Sequence, residues 1–210
     1  MRHPTRERPA SQIPSAPALV HRLEDVDALA RLPDDLLATR AQEGDDEAFA
    51  VLVRRHSGAL LALAGRLLND PAQAEDAVQD ALLSAWRRLP EFRHHAAFRT
   101  WIYRITVNRC HTIQRSSRPP PLPLDGVPEP AASDPHGEPA SVAQTHAAAQ
   151  ALAQALARLD AGQRVCWVLR ELHDLHYSEI AQITDTTEPT VRGRLFRARQ
   201  TLTKAMDPWR

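Results

Sequence analysis

A proline-rich stretch interrupts the middle of the chain and limits how the chain can fold. Eight prolines fall between Pro119 and Pro139, in SSRPPPLPLDGVPEPAASDPHGEPA. Proline has no backbone N–H and a fixed φ, so this segment cannot form a helix interior or a central strand. It has no apolar period, and its composition is typical of an extended polyproline linker. The chain is therefore predicted to form two units, at residues 33–116 and 141–210, joined by a linker over residues 117–140.

The residues outside this stretch favour helices. Ala, Leu, Arg, Glu and Gln together are far more numerous than Val, Ile and Thr, and the first group has the higher helix propensities. Hydrophobic residues make up 43% of the chain and aromatic residues only 5%, which favours small helical units over β-sandwiches. We expect an all-α protein with two small helical domains. Residues 1–32 carry four prolines and no helical period, and are predicted to be a disordered tail.

Membrane, secreted and disulfide-bonded proteins are not indicated. The two cysteines, Cys110 and Cys166, lie far apart and form no C-x-x-C. We therefore expect reduced, partly buried thiols in a cytoplasmic protein, with neither a disulfide framework nor a zinc finger. No stretch approaches the ~20 apolar residues of a membrane span, and the N-terminus lacks the apolar core of a secretory signal. Cytoplasmic localisation and no membrane partner are the expectation.

An enzyme is not expected either. Seven glycines occur and none forms a phosphate-binding loop, and no nucleophile triad or pair of catalytic carboxylates stands out. His94 with His95, and His173 with His176, could suggest a metal, but neighbouring histidines seldom converge on one ion without further ligands. No catalytic residue, metal or cofactor is predicted.

Capping residues predict where several helices begin and end. Gly44 is a natural stop for a first short helix. Asp70, Pro71 and Gln73 form a capping-box pattern at the start of a later helix. Ser141 is the expected cap of the first helix in the second unit. Each unit is predicted to contain four helices, and the last two helices of the chain, with a tight turn between them, are typical of a helix-turn-helix.

The chain has no net charge, yet positive charge is concentrated in TEPTVRGRLFRAR, from Thr187 to Arg199. On a helical wheel at about 100° per residue, one side is an apolar stripe of Val191, Leu195, Ala198 and Leu202. We expect this stripe to pack against Ile180 and Ile183 of the preceding helix. The opposite face comprises Pro189, Arg192, Gly193, Phe196, Arg197 and Gln200, with Arg194 and Arg199 on its flanks.

This basic face has two interpretations. Most basic helix faces are only solvated. Here, however, Phe196 is exposed among the arginines, and Gly193 lets the helix approach a surface closely. A helix that enters a DNA major groove needs such features, because arginine contacts guanine edges and phosphates and an apolar group contacts the thymine methyl.

A second basic stretch lies in the first unit. From Arg87 to Arg118, eight arginines are accompanied by a single acid, Glu91, and by several aromatic residues. Basic charge interleaved with aromatic rings suits unpaired bases and phosphates, although Trp101 and Ile102 fit core positions better. Two basic surfaces on a flexible tether would contact one nucleic acid at two places, with affinity raised by their linkage.

These segments together resemble a known family. AEDAVQDALLSAWRRLPEF, FRTWIYRITVNRC, LHYSEIAQIT and TVRGRLFRAR are similar, in this order, to segments of the extracytoplasmic-function (ECF) sigma factors of bacterial RNA polymerase. The resemblance covers about residues 34–116 and 145–204. It implies a sigma domain 2 at residues 33–116, a sigma domain 4 at residues 141–210, and a function in promoter recognition and transcription initiation.

The resemblance also implies three sets of contacts. Core RNA polymerase, through its β′ clamp helices, would bind Glu75, Asp76, Gln79, Asp80, Leu83 and Trp86. The −10 element would be melted and a flipped base held by Arg93, His94, His95, Phe98, Arg99, Thr100, Arg104 and Asn108. The −35 element would be read as a duplex by Arg192, Gly193, Phe196 and Arg197, flanked by Arg194 and Arg199. The polymerase β flap and an anti-sigma factor are further partners implied by the resemblance.

The sequence departs from the family in and around the helix-turn-helix. Asp174 and Asp185 stand where glycines are common, and aspartate tolerates left-handed geometry better than most residues. Pro189 replaces a usual glycine, which the first helical turn allows, and His176 and Thr184 are also unusual. Despite these changes the fold of the family is still expected, but the base sequence preferred at the −35 element is not predicted. The alternative function is a two-domain helix-turn-helix regulator that does not bind core polymerase.

Overall fold

The computed structural model describes residues 28–116 and 140–207, and the regular elements in these ranges are all helical. The first unit contains α1 (Asp34–Gln42), α2 (Asp46–Leu68), α3 (Pro71–Arg88), a 3-10 turn (Leu89–Glu91) and α4 (Phe98–Ser116). The second contains α5 (Ala140–Ala157), α6 (Ala161–Glu171), α7 (Tyr177–Thr184) and α8 (Glu188–Ala205). The all-α prediction is confirmed. Residues 1–27 of the predicted tail and residues 117–139 of the predicted linker lie outside the described residues. Residues 28–30 are helical, Leu29 is buried in the core, and Arg55 donates to the Ala30 and Leu32 carbonyls. The prediction of a disordered tail is therefore wrong for residues 28–32.

The first four helices surround one apolar core. The long helix α2 runs through it and contacts α1, α3 and α4. Its Leu60, Leu63 and Leu67 are fully buried, and Ile102 and Val107 of α4 pack into the same cluster. Burying one leucine side chain contributes roughly 1.5–3 kcal/mol relative to leaving it exposed. The helical spacing of these residues therefore fixes which face of α2 points inward.

By length and composition α2 could also cross a membrane, which corrects the expectation that no stretch approaches this size. Its surroundings are those of a core helix, because eight of its residues are buried against the rest of the chain. Polar residues interrupt its middle and contact α1. Arg55 pairs with the Asp34 carboxylate, and His56 Nε2 lies 2.7 Å from the other oxygen of that group.

Helix ends follow the predicted signals with two differences. The first helix stops just before Gly44, which has a left-handed φ of 96°. Asp70 caps α3 by accepting a hydrogen bond from the Gln73 N–H at 3.1 Å. The Gln73 side chain donates to the same carboxylate at 2.8 Å, whereas in a full capping box it would reach the Asp70 backbone. The helix α5 begins at Ala140, so Ser141 lies inside the first turn and is not its cap.

The last two helices, α7 and α8, form the predicted helix-turn-helix, and α6 packs against both. The apolar stripe of α8 is buried throughout. Val191 and Leu195 join a cluster that contains Ile180 and Ile183, as expected. The other half of the stripe, Ala198 and Leu202, packs in a separate cluster with the end of α5. The expectation that the whole stripe packs against α7 is therefore corrected for its second half.

Asp174 and Asp185 occupy left-handed positions in two turns of this unit. Both have a φ of 50°, a region that favours glycine and that aspartate tolerates better than most other residues. Pro189 is the second residue of α8, where its missing N–H removes no intrahelical hydrogen bond. Local geometry thus accommodates these departures from the family without a change of fold.

The two units pack against each other. Buried residues of α4 belong to the same cluster as those of α6 and α7. The Arg99 guanidinium donates to the His173 carbonyl at 2.5 Å, and Arg164 donates to the Leu67 carbonyl at 3.0 Å. The second unit therefore lies over α4 and the end of α2.

Candidate nucleic-acid interface

The outward face of α8 is basic and exposed. Arg192 and Arg197 are both exposed, and Phe196 beside them is 62% exposed. Gly193 lies on the same face, and a Cβ added there would meet the Arg197 guanidinium at 3.8 Å. Arginines around an exposed apolar side chain are the groups that read base edges in a major groove.

The two flanking arginines are engaged within the protein. Arg199 donates through Nε and Nη2 to one Glu171 oxygen, at 3.1 and 2.7 Å, and this interaction raises the pKa of Arg199. Arg194 is half-buried at the start of α6, where its guanidinium carbon lies 3.0 Å from the position of an added Gly162 Cβ. The structure therefore places both predicted −35 residues where they tie α8 to α6.

A pocket of about 400 Å³ opens between the loop at residues 92–97 and the first turns of α4. Four predicted −10 residues line it: Arg93, His95, Thr100 and Arg104. The remaining lining residues are Glu91, Phe92, Ala96, Trp101 and, from α7, Gln182. A concave surface that combines arginines with an aromatic ring can hold an unpaired base and its phosphate.

Aromatic side chains support this pocket. The Phe92 ring is buried, with its centroid 4.9 Å from Trp101 and 6.0 Å from Phe98. Phe98 is only 2% exposed, so it supports the pocket from the core and does not line it. Trp101 is half-buried and lines the pocket, although its position in the sequence predicts a core residue. The signal for Trp101 was its spacing, one helical turn before Arg104 on the same side of α4.

Three other predicted −10 residues lie away from the pocket. His94 has a left-handed φ of 53°, and its ring centroid lies 4.5 Å from that of Phe92. Arg99 is directed toward the second unit, where it donates to the His173 carbonyl. Asn108 lines a second cleft, between α4 and the start of α6. The predicted −10 set is thus divided between one pocket and its surroundings.

His173 lies at the contact between the two units. Its Nδ1 is 3.1 Å from the Tyr103 hydroxyl, and its Nε2 is buried with no hydrogen-bond partner among the described residues. Burial, reinforced by the Arg99 charge, lowers the pKa of His173. Depending on its tautomer, the ring accepts the Tyr103 O–H at Nδ1 or donates Nδ1–H to the hydroxyl oxygen. Burial and the neighbouring Arg99 charge favour neutral His173.

The helix α3 presents the acidic surface predicted to bind protein. All six of its candidate residues are exposed: Glu75, Asp76, Gln79, Asp80, Leu83 and Trp86. Leu83 is 47% and Trp86 40% exposed, and the Trp86 ring lies 4.8 Å from that of Phe49 on α2. Asp80 pairs with Arg109 of α4. Large apolar side chains exposed together are typical of a protein-binding surface.

The described residues contain no group of three or more His, Cys, Asp and Glu side chains that could hold a metal ion. Cys110 and Cys166 are free thiols, and both are fully buried, more deeply than the predicted partial burial. Burial raises the pKa of the Cys110 thiol to about 11, and that of Cys166 above its ordinary value.

Comparison with known proteins covers both units. The Sigma-70 region 2 family matches residues 52–118, and the Sigma-70 region 4 family matches residues 149–202. The chain is 32% identical over 182 residues to the RNA polymerase sigma-H factor of Pseudomonas aeruginosa, and the aligned region covers 83% of this chain and 94% of the relative. It is 33% identical over 185 residues to the ECF RNA polymerase sigma-E factor of Escherichia coli K12, which spans 85% of this chain and 96% of the relative.

Two solved structures share the fold. CnrH in complex with the cytosolic domain of CnrY superposes with a TM-score of 0.64 at 28% identity, over 83% of this chain and 97% of that one. The sigma factor RpoE in complex with the anti-sigma factor NepR, from Bartonella quintana, superposes with a TM-score of 0.58 at 25% identity. This superposition covers 76% of this chain and 96% of that one.

Proposed function

The chain belongs to the ECF sigma factors, which recognise promoters and initiate transcription with RNA polymerase, and on that basis we propose a role for each of its surfaces. Residues 33–116 form domain 2, which binds core polymerase and the −10 element. Residues 141–210 form domain 4, which reads the −35 element. Residues 1–27 are a tail and residues 117–139 a linker between the domains, whereas residues 28–32 pack with domain 2.

The observation that carries this proposal is the two-sided character of α8. Its apolar stripe is buried, while Arg192, Phe196 and Arg197 are exposed together on the other side. We assign these three residues and Gly193 to the major groove of the −35 element, because Gly193 leaves room for a close approach. Arg194 and Arg199 position the helix through their contacts with α6.

The −10 element is assigned to the pocket beside the 92–97 loop. Arg93 and Arg104 supply positive charge at its wall, His95 lines it, and Trp101 supplies a ring on which a base can stack. Removing a base from a duplex costs a few kcal/mol, and contacts with the extruded base and its phosphates offset that cost. Phe98 and Thr100, buried at 2% and 3% exposure, support the pocket.

Core polymerase is assigned to the exposed face of α3. Its carboxylates and the Leu83–Trp86 pair suit a protein surface better than DNA, since carboxylates repel phosphates. By resemblance, the β′ clamp helices bind this face and the β flap binds domain 4. Solved relatives carry a bound anti-sigma factor or a second protein chain, and we propose an anti-sigma partner for this chain as well. The protein acts in the cytoplasm and has no catalysis of its own.

Transcription with purified core RNA polymerase tests the proposal. The expected result is that initiation at a discrete set of start sites on genomic DNA fragments requires the added chain. Sequencing the transcript 5′ ends gives the promoters, whose shared −10 and −35 sequences then define probes for the individual surfaces. Equal transcription with and without the chain would contradict the assignment.

A further inference from the structure

A half-buried glutamine at the end of α1 lies beneath the loop that borders the −10 pocket. The Gln42 side-chain amide nitrogen donates to the backbone carbonyls of Leu89, at 2.9 Å, and Phe92, at 2.7 Å. Its amide oxygen lies 3.2 Å from His94 Nε2, at hydrogen-bonding distance. One side chain thus contacts three positions that are 47, 50 and 52 residues away in sequence.

These contacts use the glutamine in a way that few other side chains could reproduce. A primary amide has two N–H donors on one atom and an acceptor on the other. Both donors go to carbonyls at and just after the 3-10 turn, and the acceptor takes the imidazole N–H of His94. Alanine would remove all three contacts, and glutamate would set a carboxylate against two carbonyl oxygens.

The loop that Gln42 contacts needs such support. His94 adopts a φ of 53°, in the left-handed region that few residues other than glycine adopt, although histidine tolerates it better than most. Phe92 and His94 lie on either side of Arg93, and their rings pack against each other. Holding the Phe92 backbone on one side of Arg93 and the His94 side chain on the other limits the directions in which the Arg93 side chain enters the pocket.

We propose that Gln42 is a positioning residue for promoter melting, which holds the 92–97 loop so that Arg93 and His95 line the pocket before DNA arrives. This rests on the proposed function of the pocket. A loop that is already ordered loses little entropy when it captures a base, whereas a loose loop must be ordered during melting. Replacing Gln42 should therefore reduce open-complex formation strongly when the duplex has to be opened, and less when the base is already unpaired.

The test uses the full chain in holoenzyme at a promoter mapped as above, with permanganate reactivity of unpaired thymines as the measure of melting. Two templates are compared, one fully paired and one held open at the −10 element by mismatches. The variant is Gln42→Ala. Its matched control is Gln114→Ala, because Gln114 is also half-buried and donates its side-chain amide to a backbone carbonyl, that of Leu67, at 2.8 Å. Arg93→Ala tests the pocket itself.

On the paired template we expect Gln42→Ala to form about tenfold fewer open complexes, the effect of about 1.4 kcal/mol from the lost hydrogen bonds. On the open template its deficit should shrink to within about twofold, and its binding to core polymerase should be unchanged. Gln114→Ala should behave like the unmodified chain on both templates. The double variant Gln42→Ala/His94→Ala should be little worse than Gln42→Ala, because both residues act through the same loop.

Equal deficits for Gln42→Ala on the two templates, weaker core binding, or a loss no larger than that of Gln114→Ala would overturn the proposal. Arg93→Ala separates this failure from a failure of the pocket assignment. If Arg93→Ala impairs melting and Gln42→Ala does not, the pocket stands and the role of Gln42 is wrong. If neither impairs melting, the pocket assignment fails and the role of Gln42 fails with it.

Discussion

The two proposed DNA surfaces differ in how far the protein itself covers them. The face of α8 that carries Arg192, Phe196 and Arg197 is open to solvent. Around the −10 pocket, by contrast, domain 4 contacts domain 2 directly. Gln182 of α7 is part of the pocket lining, and Asp185 lies 3.5 Å from Arg104.

This difference indicates that the two halves of promoter recognition have different requirements. The proposed −35 face is exposed as it stands, whereas Gln182 of α7 forms part of the wall of the proposed −10 pocket. We therefore expect a DNA strand that enters this pocket to displace α7. The polar contacts across this boundary are weak where they are exposed, since surface ion pairs contribute only ~0–1 kcal/mol. Buried apolar residues of α4 and α7, which belong to one cluster, contribute the rest.

The largest expected effect is a loss of stability. It is tested by comparing Phe98, which supports the −10 pocket, with Phe196, which is exposed on the −35 face. Phe98→Ala should lower the free energy of unfolding by ~3–5 kcal/mol, because it empties a buried site. Phe196→Ala is its matched control and should change stability by less than ~0.5 kcal/mol while weakening −35 binding. Urea denaturation followed by circular dichroism measures both. A stable Phe98→Ala variant that fails only in DNA binding would make Phe98 a direct contact.

Next in size is the loss of −35 recognition in the arginine variants. Arg192→Ala or Arg197→Ala should each weaken binding to the mapped −35 duplex by ~1–3 kcal/mol, and should relax base preference at one position. Fluorescence anisotropy with the cognate duplex and with single-base variants measures this. Arg66→Ala, an exposed arginine on α2, is the control and should bind normally. Equal weakening on every sequence would limit these arginines to phosphate contacts.

A smaller effect is expected from pH, through the contact between the domains. We call the arrangement with domain 4 packed on α4 closed, and an arrangement with the domains apart open. His173 faces Arg99 and Tyr103 of α4, and its lowered pKa means that it binds a proton less readily in the closed arrangement than in the open one. Closure is therefore fully favoured above the ordinary histidine pKa of 6.5 and weakens as pH falls below it.

Small-angle X-ray scattering should show a larger radius of gyration at about pH 5.5 than at about pH 8, as the domains separate below the histidine pKa. His173→Gln, which cannot be protonated, should reduce this change. It should not abolish it, because burial near Arg115 and Arg194 also lowers the pKa of His111 beside the same boundary. If the radius of gyration does not depend on pH, protonation of His173 does not control the contact between the domains.

The smallest expected effect concerns the exposed pair at the edge of the pocket. Asp185→Asn removes the charge opposite Arg104 but keeps a residue that tolerates the left-handed turn. Because Asp185 and Arg104 are both largely exposed, the scattering profile and unfolding midpoint should stay within error of the unmodified chain. A marked opening of the domains would show that this pair holds them closed.

Spacing along one helix was enough to predict which face of α8 is exposed. The burial of Val191, Leu195, Ala198 and Leu202 follows from their helical period, and the period also determines which residues lie opposite. Arg194 and Arg199 were harder to place, because their partners, the start of α6 and Glu171, come from another helix. Sequence period gives the face of a side chain but not its tertiary partner.

The −10 pocket depends much more on tertiary packing. Phe98 and Trp101 both have the composition and spacing of core residues, and only the fold shows that one is buried and the other lines the pocket. Gln42 carries no local signal, because its partners lie about fifty residues further along the chain. The outline of this site was predictable from its basic and aromatic composition, whereas its internal supports were not.

The alkylation rates of the two buried thiols report on how often the core of this protein opens. With a pKa of about 11, the Cys110 thiol is almost entirely protonated at neutral pH, and thiol reagents attack the thiolate. Cys110 and Cys166 lie in the core of separate domains, within the cluster that joins them. Alkylation of the native chain should therefore proceed only as fast as the core opens. Its rate, followed by mass spectrometry for each cysteine, would time the opening of each domain without any introduced label.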